Sequence, residues 1–200
     1  MRRHPGFTVW FTGLAASGKS TIARLVAEEL RHRLAAVELL SGGEFRQNLS
    51  QGLGYSAEDR IANVRRIGYV AKLLTRNGVA VVTTSISPYR AVRDECRRMI
   101  GRFVEVYVDC PIDVCQARDT KGDYARARRG EIVAFTGISD PYEPPLAAEV
   151  VCRSAEESPQ ECAARVLAWL ESVGWIPERD VETPPDAEAV RSQLRSLFNA

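Results

Sequence analysis

Two hundred residues with 45% hydrophobic and 26% charged content and a formal net charge of +1 fit one globular domain, large enough to bury a core without disulfide or metal support. No apolar run approaches the ~18 residues of a membrane-spanning helix, and a near-neutral chain lacks the basic excess of a nucleic-acid or membrane-surface binder. The five cysteines, Cys96, Cys110, Cys115, Cys152 and Cys162, contain no Cys-x-x-Cys pair and lie far from His4 and His32, so they read as buried free thiols rather than a metal site.

The basic start runs directly into Phe7-Thr8-Val9-Trp10-Phe11, too short for a signal-peptide core; a cytoplasmic protein is expected, with Phe7 to Thr12 as its first strand. Ile22, Leu25, Val26 and Leu30 then recur at helical spacing. A second strand is expected over Ala36 to Leu40. Ser56-Ala57-Glu58-Asp59 has the form of a helix-capping box ahead of Ile61, Val64, Gly68, Ala71 and Leu74. Val79 to Ser85 and Phe103 to Asp109 are nearly continuous in apolar character, as central parallel strands covered on both faces are.

Between Asp119 and Pro145 the chain becomes polar, basic and rich in glycine and proline, with one short helical stretch; this is the pattern of a lid. Glu149 to Cys152 reads as a last strand. Ser158-Pro159-Gln160-Glu161 carries a capping serine, a proline at the first helical position and a glutamate at the third, predicting a helix to about Val173. Strands alternating with helices define an α/β fold, a three-layer sandwich around a central parallel sheet. The domain should span residues 1–177 with its lid at about 119–145, and residues 178–200 should form a linker and an appended helix with Val190, Leu194 and Leu197 on one face.

The segment Gly13-Leu14-Ala15-Ala16-Ser17-Gly18-Lys19-Ser20 matches G-x-x-x-x-G-K-S between a strand and a helix, the phosphate-binding P-loop. Its backbone N–H groups, with Thr21 on the helix start, suit the phosphates of ATP. Lys19 supplies a compact positive charge to the β- and γ-phosphates, and the Ser20 hydroxyl suits Mg²⁺. A P-loop alone does not separate kinase, hydrolase and switch.

Further segments carry a resemblance. Phe45-Arg46-Gln47-Asn48-Leu49, Leu53-Gly54-Tyr55-Ser56, Asp59-Arg60 through Asn63-Val64-Arg65-Arg66, Ile86-Ser87-Pro88-Tyr89-Arg90, Asp119-Thr120-Lys121-Gly122 and Phe135-Thr136-Gly137-Ile138 occur in order over about residues 6 to 177. Together they resemble the adenylyl-sulfate kinase family, which phosphorylates the 3′-hydroxyl of adenosine 5′-phosphosulfate with ATP. The resemblance implies that Arg46, Arg60 and Asn63 hold the phosphosulfate and adenosine of the acceptor. It implies that Tyr55 and Phe135 sandwich its adenine and that Ile86, Ser87 and Lys121 touch it further. Lys19, Ser87 and Lys121 are the catalytic candidates, with Arg118 on the ATP side, in-line transfer as the expected chemistry, and a homodimer and a sulfate adenylyltransferase as expected partners. Of the lid cations Arg118, Lys121, Arg126, Arg128 and Arg129, which one neutralises the transferring group stays open.

Where the family's second strand ends in Asp-Gly-Asp, this chain reads Ser41-Gly42-Gly43. Glu44, Asp59 or Asp109 could supply the missing acid. A catalytically weak nucleotide-binding module, or a kinase for a related small nucleotide, are the alternatives. Ala15-Ala16 and Ala134 also stand where the family favours Ser-Gly or Ser-Ala and glycine.

Overall fold

The computed structural model describes residues 5–177, and the appended helix expected near residues 186–198 lies outside that range. Five strands, β1 (Phe7–Thr12), β2 (Val37–Ser41), β3 (Ala80–Thr84), β4 (Phe103–Asp109) and β5 (Val150–Arg153), form one parallel sheet in the order β2-β3-β1-β4-β5. Every residue of β1 is buried, because it pairs with β3 on one side, Val9 opposite Val82, and with β4 on the other, Val9 opposite Val104. The strand boundaries lie within one residue of those read from the sequence.

The pleat of β1 divides the core. Phe7, Val9 and Phe11 point to one face, where they join Ile22, Ala23, Val26, Ala27 and Leu30 of α1 (Lys19–Arg33) and Cys162, Val166 and Leu170 of α7 (Pro159–Ser172). Trp10 points to the other, against Val64, Ile67 and Ala71 of α3 (Ala57–Arg76) and Val92 and Cys96 of α4 (Arg90–Ile100). Each large side chain so buried contributes about 1.5–3 kcal/mol. Gly68 lets α3 and α4 close up, since a Cβ there would meet the Cys96 Sγ at 2.5 Å.

Both expected serine caps form. Ser158 and Glu161 complete a capping box on α7. Ser56 accepts from the Asp59 N–H, while the Asp59 carboxylate turns back to the Gly54 N–H at 2.9 Å, so the reciprocal half of that box is missing. All five cysteines are buried and unpaired, as expected from their spacing, and no helix among the described residues is long and apolar enough to cross a membrane.

Three helices are not announced by apolar spacing: α2 (Gly42–Asn48), α4, and α5 (Ile112–Ala117); α6 (Asp123–Arg128) is the short helix of the segment 119–145. In α4 the most deeply placed large side chain is an arginine. Arg93, 2% exposed, donates through Nε to Glu105 at 2.6 Å, through Nη1 to the Ser87 carbonyl at 2.7 Å and through Nη2 to the Glu143 carbonyl at 2.8 Å. It thereby joins α4, β4, the loop after β3 and the end of the lid segment. Replacing Arg93 with methionine leaves the buried Glu105 carboxylate with only the longer Arg97 contact at 3.4 Å, and urea denaturation should register a loss of about 3 kcal/mol; the Arg93→Met/Glu105→Leu pair should recover much of it.

Candidate active site

The crevice at the carboxyl ends of β1, β3 and β4, where successive strands are laid down on opposite sides of β1, is where an open α/β sheet binds ligands. Gly13–Ser20 leaves β1 there and enters α1. One groove of about 640 Å³, lined by Ala16–Ile22, Arg118, Ser154 and Glu156–Pro159, opens on the outer side of the loop. A second hollow of about 430 Å³ lies on the inner side. It is lined by Lys19, Ser20, Ser41, Gly42, Gly43, Arg46, Tyr55, Arg60, Asn63, Thr84, Ile86, Ser87 and Lys121. Lys19 and Ser20 belong to both, so the two hollows meet at the end of the P-loop.

The loop is held from two sides. Ser154 Oγ donates to the Ser17 carbonyl at 2.8 Å, and Tyr124 of the lid segment donates its hydroxyl to the Ala15 carbonyl at 3.0 Å. Lys19 Nζ bonds the Leu14 carbonyl and lies 3.3 Å from Ser17 Oγ. Burial pushes its ammonium pKa down to about 8, opposed by the nearby Cys115 and Cys110. Three non-glycine residues among those described have positive φ, Ala16 (57°), Ser87 (39°) and Ala134 (56°). All three flank the site, which is where backbone strain tends to be kept.

In the inner hollow Arg46 donates to the Gly54 carbonyl at 2.9 Å, and its guanidinium lies 4.4 Å from the centre of the Tyr55 ring, with that of Arg60 at 5.5 Å. Arg60 is fixed by the Tyr55 and Ala134 carbonyls and sits 3.7 Å from Asp140; desolvation lowers its pKa. Asn63 is buried, and its Oδ1 has no hydrogen-bond partner among the described residues, leaving an acceptor available to a ligand N–H or O–H. Ser87, 2% exposed, has its Oγ between Trp10 Nε1 and Thr12 Oγ1, both at 3.1 Å.

The inner hollow thus gathers Arg46, Tyr55, Arg60, Asn63, Ile86, Ser87 and Lys121, residues scattered over some seventy-five positions of the chain. Phe135 is not among its lining residues. It packs edge-on to Tyr124 at 4.9 Å, in a cluster that also holds Leu14, Ala15 and Cys115. Of the lid cations, Arg118 lines the outer groove and Lys121 the inner one. Arg126 and Arg129 pair with Glu131, and Arg128 bonds Gln116. Nothing in the sequence pattern marks the supporting roles of Trp10, Thr12, Arg93 and Ser154.

Two adjacent glycines differ sharply. A Cβ on Gly42 would lie 2.9 Å from the Thr84 carbonyl, whereas one on Gly43 would meet nothing within 4 Å. The Ser41 turn must hug the end of β3 at Gly42, and Gly43 faces open space.

A strand–P-loop–helix unit at a switch point, meeting a second, cationic hollow, defines a P-loop phosphotransferase with an ATP side and an acceptor side. The model of the adenylylsulphate kinase family matches residues 5–153. An adenylyl-sulfate kinase of Synechococcus sp. (strain JA-2-3B'a(2-13)) is 54% identical over 171 residues, covering 86% of this chain and 98% of that protein. A probable bifunctional SAT/APS kinase 2 of Sorangium cellulosum is also 54% identical over 174 residues, covering 87% of this chain but 30% of that longer protein. The structure of the Mycobacterium tuberculosis APS kinase CysC in complex with AMPPNP and APS superposes with a TM-score of 0.79 at 40% identity, covering 84% of this chain and 98% of that one. The chain belongs to the adenylylsulphate kinase family.

Two measurements probe this geometry. Triphosphate binding needs Lys19 charged, and its free-state pKa near 8 means that binding at about pH 9 takes up a proton and that affinity falls as pH rises through 8 and beyond. Calorimetry in buffers of different ionisation enthalpy should show this uptake, absent in Lys19→Met. Separately, Gly42→Ala should lower the melting temperature, while Gly43→Ala, which removes a flexible residue from a helix start, should be neutral or stabilising by up to about 1 kcal/mol in calorimetric unfolding.

Proposed function

We propose that this chain transfers the γ-phosphoryl group of ATP to the 3′-hydroxyl of adenosine 5′-phosphosulfate, giving 3′-phosphoadenylyl sulfate and ADP in the activation of sulfate. The observation that carries the reading is the junction of two hollows at Lys19 and Ser20, the inner one holding Lys19, Arg46, Arg60 and Lys121 and no carboxylate. Four cations suit an acceptor with two anionic groups, and guanidinium forks suit its oxygens. The flat face of Tyr55, half exposed, and the unpaired Asn63 Oδ1 suit an adenosine. The name of the Mycobacterium tuberculosis complex pairs an ATP analogue with APS, in keeping with one ligand on each side of the loop.

Each residue then has a physical task. The P-loop amides and Lys19 hold the β- and γ-phosphates, so that the 3′-hydroxyl oxygen attacks phosphorus as the bond to the β-phosphate oxygen breaks, its proton leaving through the transferred phosphoryl oxygens to water; catalysis is positioning and charge neutralisation. Arg118 and Lys121, lining the outer and inner hollows, are the lid-segment cations placed to share that charge. Closure of residues 119–145 over the site would exclude water. The Ser87 hydroxyl, committed to Trp10 and Thr12, shapes the acceptor loop, and transfer is direct. Phe135 would reach the acceptor base only with rearrangement of its packing on Tyr124.

Mg²⁺ belongs to the proposal as well. The exposed Ser20 hydroxyl sits beside an adjoining hollow of about 350 Å³ lined by Arg24, Leu39, Ser41, Glu44 and Thr84; its hydroxyls and single carboxylate are oxygens of the kind that Mg²⁺ takes together with phosphate oxygens and water. When bound, the ion neutralises charge on the β- and γ-phosphates. A homodimer is proposed from the family resemblance. The Sorangium relative, which joins SAT and APS kinase in one chain, supports a sulfate adenylyltransferase as the partner that supplies the substrate, in the cytoplasm.

The test is ADP release from ATP and Mg²⁺ with and without adenylyl sulfate, with chromatography of the 3′-phosphorylated product. Turnover should depend on the acceptor and fall at least ~10²-fold in Lys19→Ala; release no faster than in that variant would rule the reading out.

A further inference from the structure

Beside a P-loop serine that borders a hollow rich in cations and free of acids, one carboxylate is conspicuous for having nothing to do. Ser20, Ser41 and Thr84 line the acceptor hollow and also the adjoining one, where the carboxylate among the lining residues is that of Glu44. We infer that Glu44 is the acid that serves the cation accompanying ATP in this chain, acting across the hollow from the Ser20 hydroxyl. The inference rests on the kinase reading above and assigns the acid that this reading leaves unassigned.

A comparison within the molecule shows what Glu44 is not doing. Among the described residues two helices start on Ser-x-x-Glu, at Ser41 and at Ser158. In both, the serine hydroxyl accepts the glutamate N–H at 3.2 Å. Glu161 then folds back, with Oε2 accepting from the Ser158 N–H at 2.8 Å and from its hydroxyl at 2.7 Å. The Glu44 carboxylate makes no such return and has no hydrogen bond or ion pair among the described residues. Ser41 fixes the backbone of Glu44, and the side chain is left for the hollow.

Of the other acids near the site, Asp59, Asp109, Asp140 and Glu157 are engaged, while the Glu156 carboxylate has no hydrogen bond or ion pair among the described residues. Asp59 accepts from the Gly54 N–H at 2.9 Å, Asp109 from the Tyr107 hydroxyl at 3.1 Å, and Asp140 faces Arg60 and the Tyr89 hydroxyl. Glu157 is bound by Arg165. Glu156 lines the outer groove and not this hollow. Arg24 is the cation of the hollow; its Nε donates to the Ser20 carbonyl at 3.1 Å, and among the described residues no ion pair joins it to Glu44.

One carboxylate and one hydroxyl suffice for Mg²⁺, which keeps several waters and takes its remaining ligands from phosphates. Gly43, open on its Cβ side, offers a neighbouring place from which an aspartate could do the same work.

Mn²⁺ binding in the presence of the non-hydrolysable analogue AMPPNP, followed by electron paramagnetic resonance without any acceptor, tests this directly on the full chain. Glu44→Gln should weaken Mn²⁺ about 10-fold while leaving AMPPNP affinity in EDTA unchanged. Adding Gly43→Asp to that variant should restore most of the Mn²⁺ affinity. Equal Mn²⁺ affinity in Glu44→Gln and the parent would overturn the inference, and so would an equal loss of AMPPNP binding in EDTA, which would place Glu44 in the loop's structure instead. Because no acceptor is present, a chain that binds Mn²⁺ through Glu44 yet ignores adenylyl sulfate would fail the functional reading and keep this one.

Discussion

The pairing of β1 between β3 and β4 is the constraint on which the rest of the molecule depends. Because β1 is parallel to both neighbours and buried on both faces, its carboxyl end is fixed to within a hydrogen-bond register. The P-loop must start there, beside the loop that leaves β3. The same pleat that sends Phe7, Val9 and Phe11 toward α1 and α7 sends Trp10 and Thr12 the other way. There Thr12 Oγ1 donates to the Ile86 carbonyl at 2.8 Å and Trp10 holds Ser87. One strand's alternation therefore sets the ATP side and the acceptor side at once.

Charge follows a division of labour. Acids among the described residues are concentrated in supporting networks: Glu105 and Glu149 around Arg93 and Arg97, and Glu157 on Arg165. The cations at the site, in contrast, keep donors free or lean on backbone carbonyls and the Tyr55 ring. Arg60 has its fork held by carbonyl groups, which orient it, and its acidic neighbour Asp140 stands off at 3.7 Å. A pocket so arranged draws an anion in and leaves the guanidinium planes already placed, so less freedom is lost on binding.

Most of the architecture was legible because it rests on period and punctuation. The buried strands are runs of β-branched and aromatic residues, α1 and α3 have apolar residues every three to four positions, and Ser158 with Pro159 marks the start of α7. The P-loop was legible as a spacing. What stayed hidden is instructive. In α4 the most deeply placed large side chain is Arg93, and a reading that assigns arginine to the surface sees a solvated segment where a helix packs. In α2 only Phe45 is buried, too little to set up a period. Nothing in the spacing of Arg46, Arg60, Ile86 and Lys121, which the family resemblance assigns to the acceptor, says that they line one hollow; the sheet order brings them together. Phe135 shows the converse, an aromatic whose motif points to the acceptor and whose side chain packs beside the P-loop on Tyr124.

At the Ser41 turn, contour and chemistry are carried by different atoms. Gly42 keeps the backbone pressed to the end of β3, so the shape of the crevice survives whatever stands beside it. A Cβ on Gly43 would meet nothing within 4 Å, so a side chain there can be introduced without disturbing the frame. The turn is thus an interchangeable fitting on a fixed mount: a lineage can move an acid from one residue to the next along this short helix and leave the fold, the P-loop and the arginines as they were.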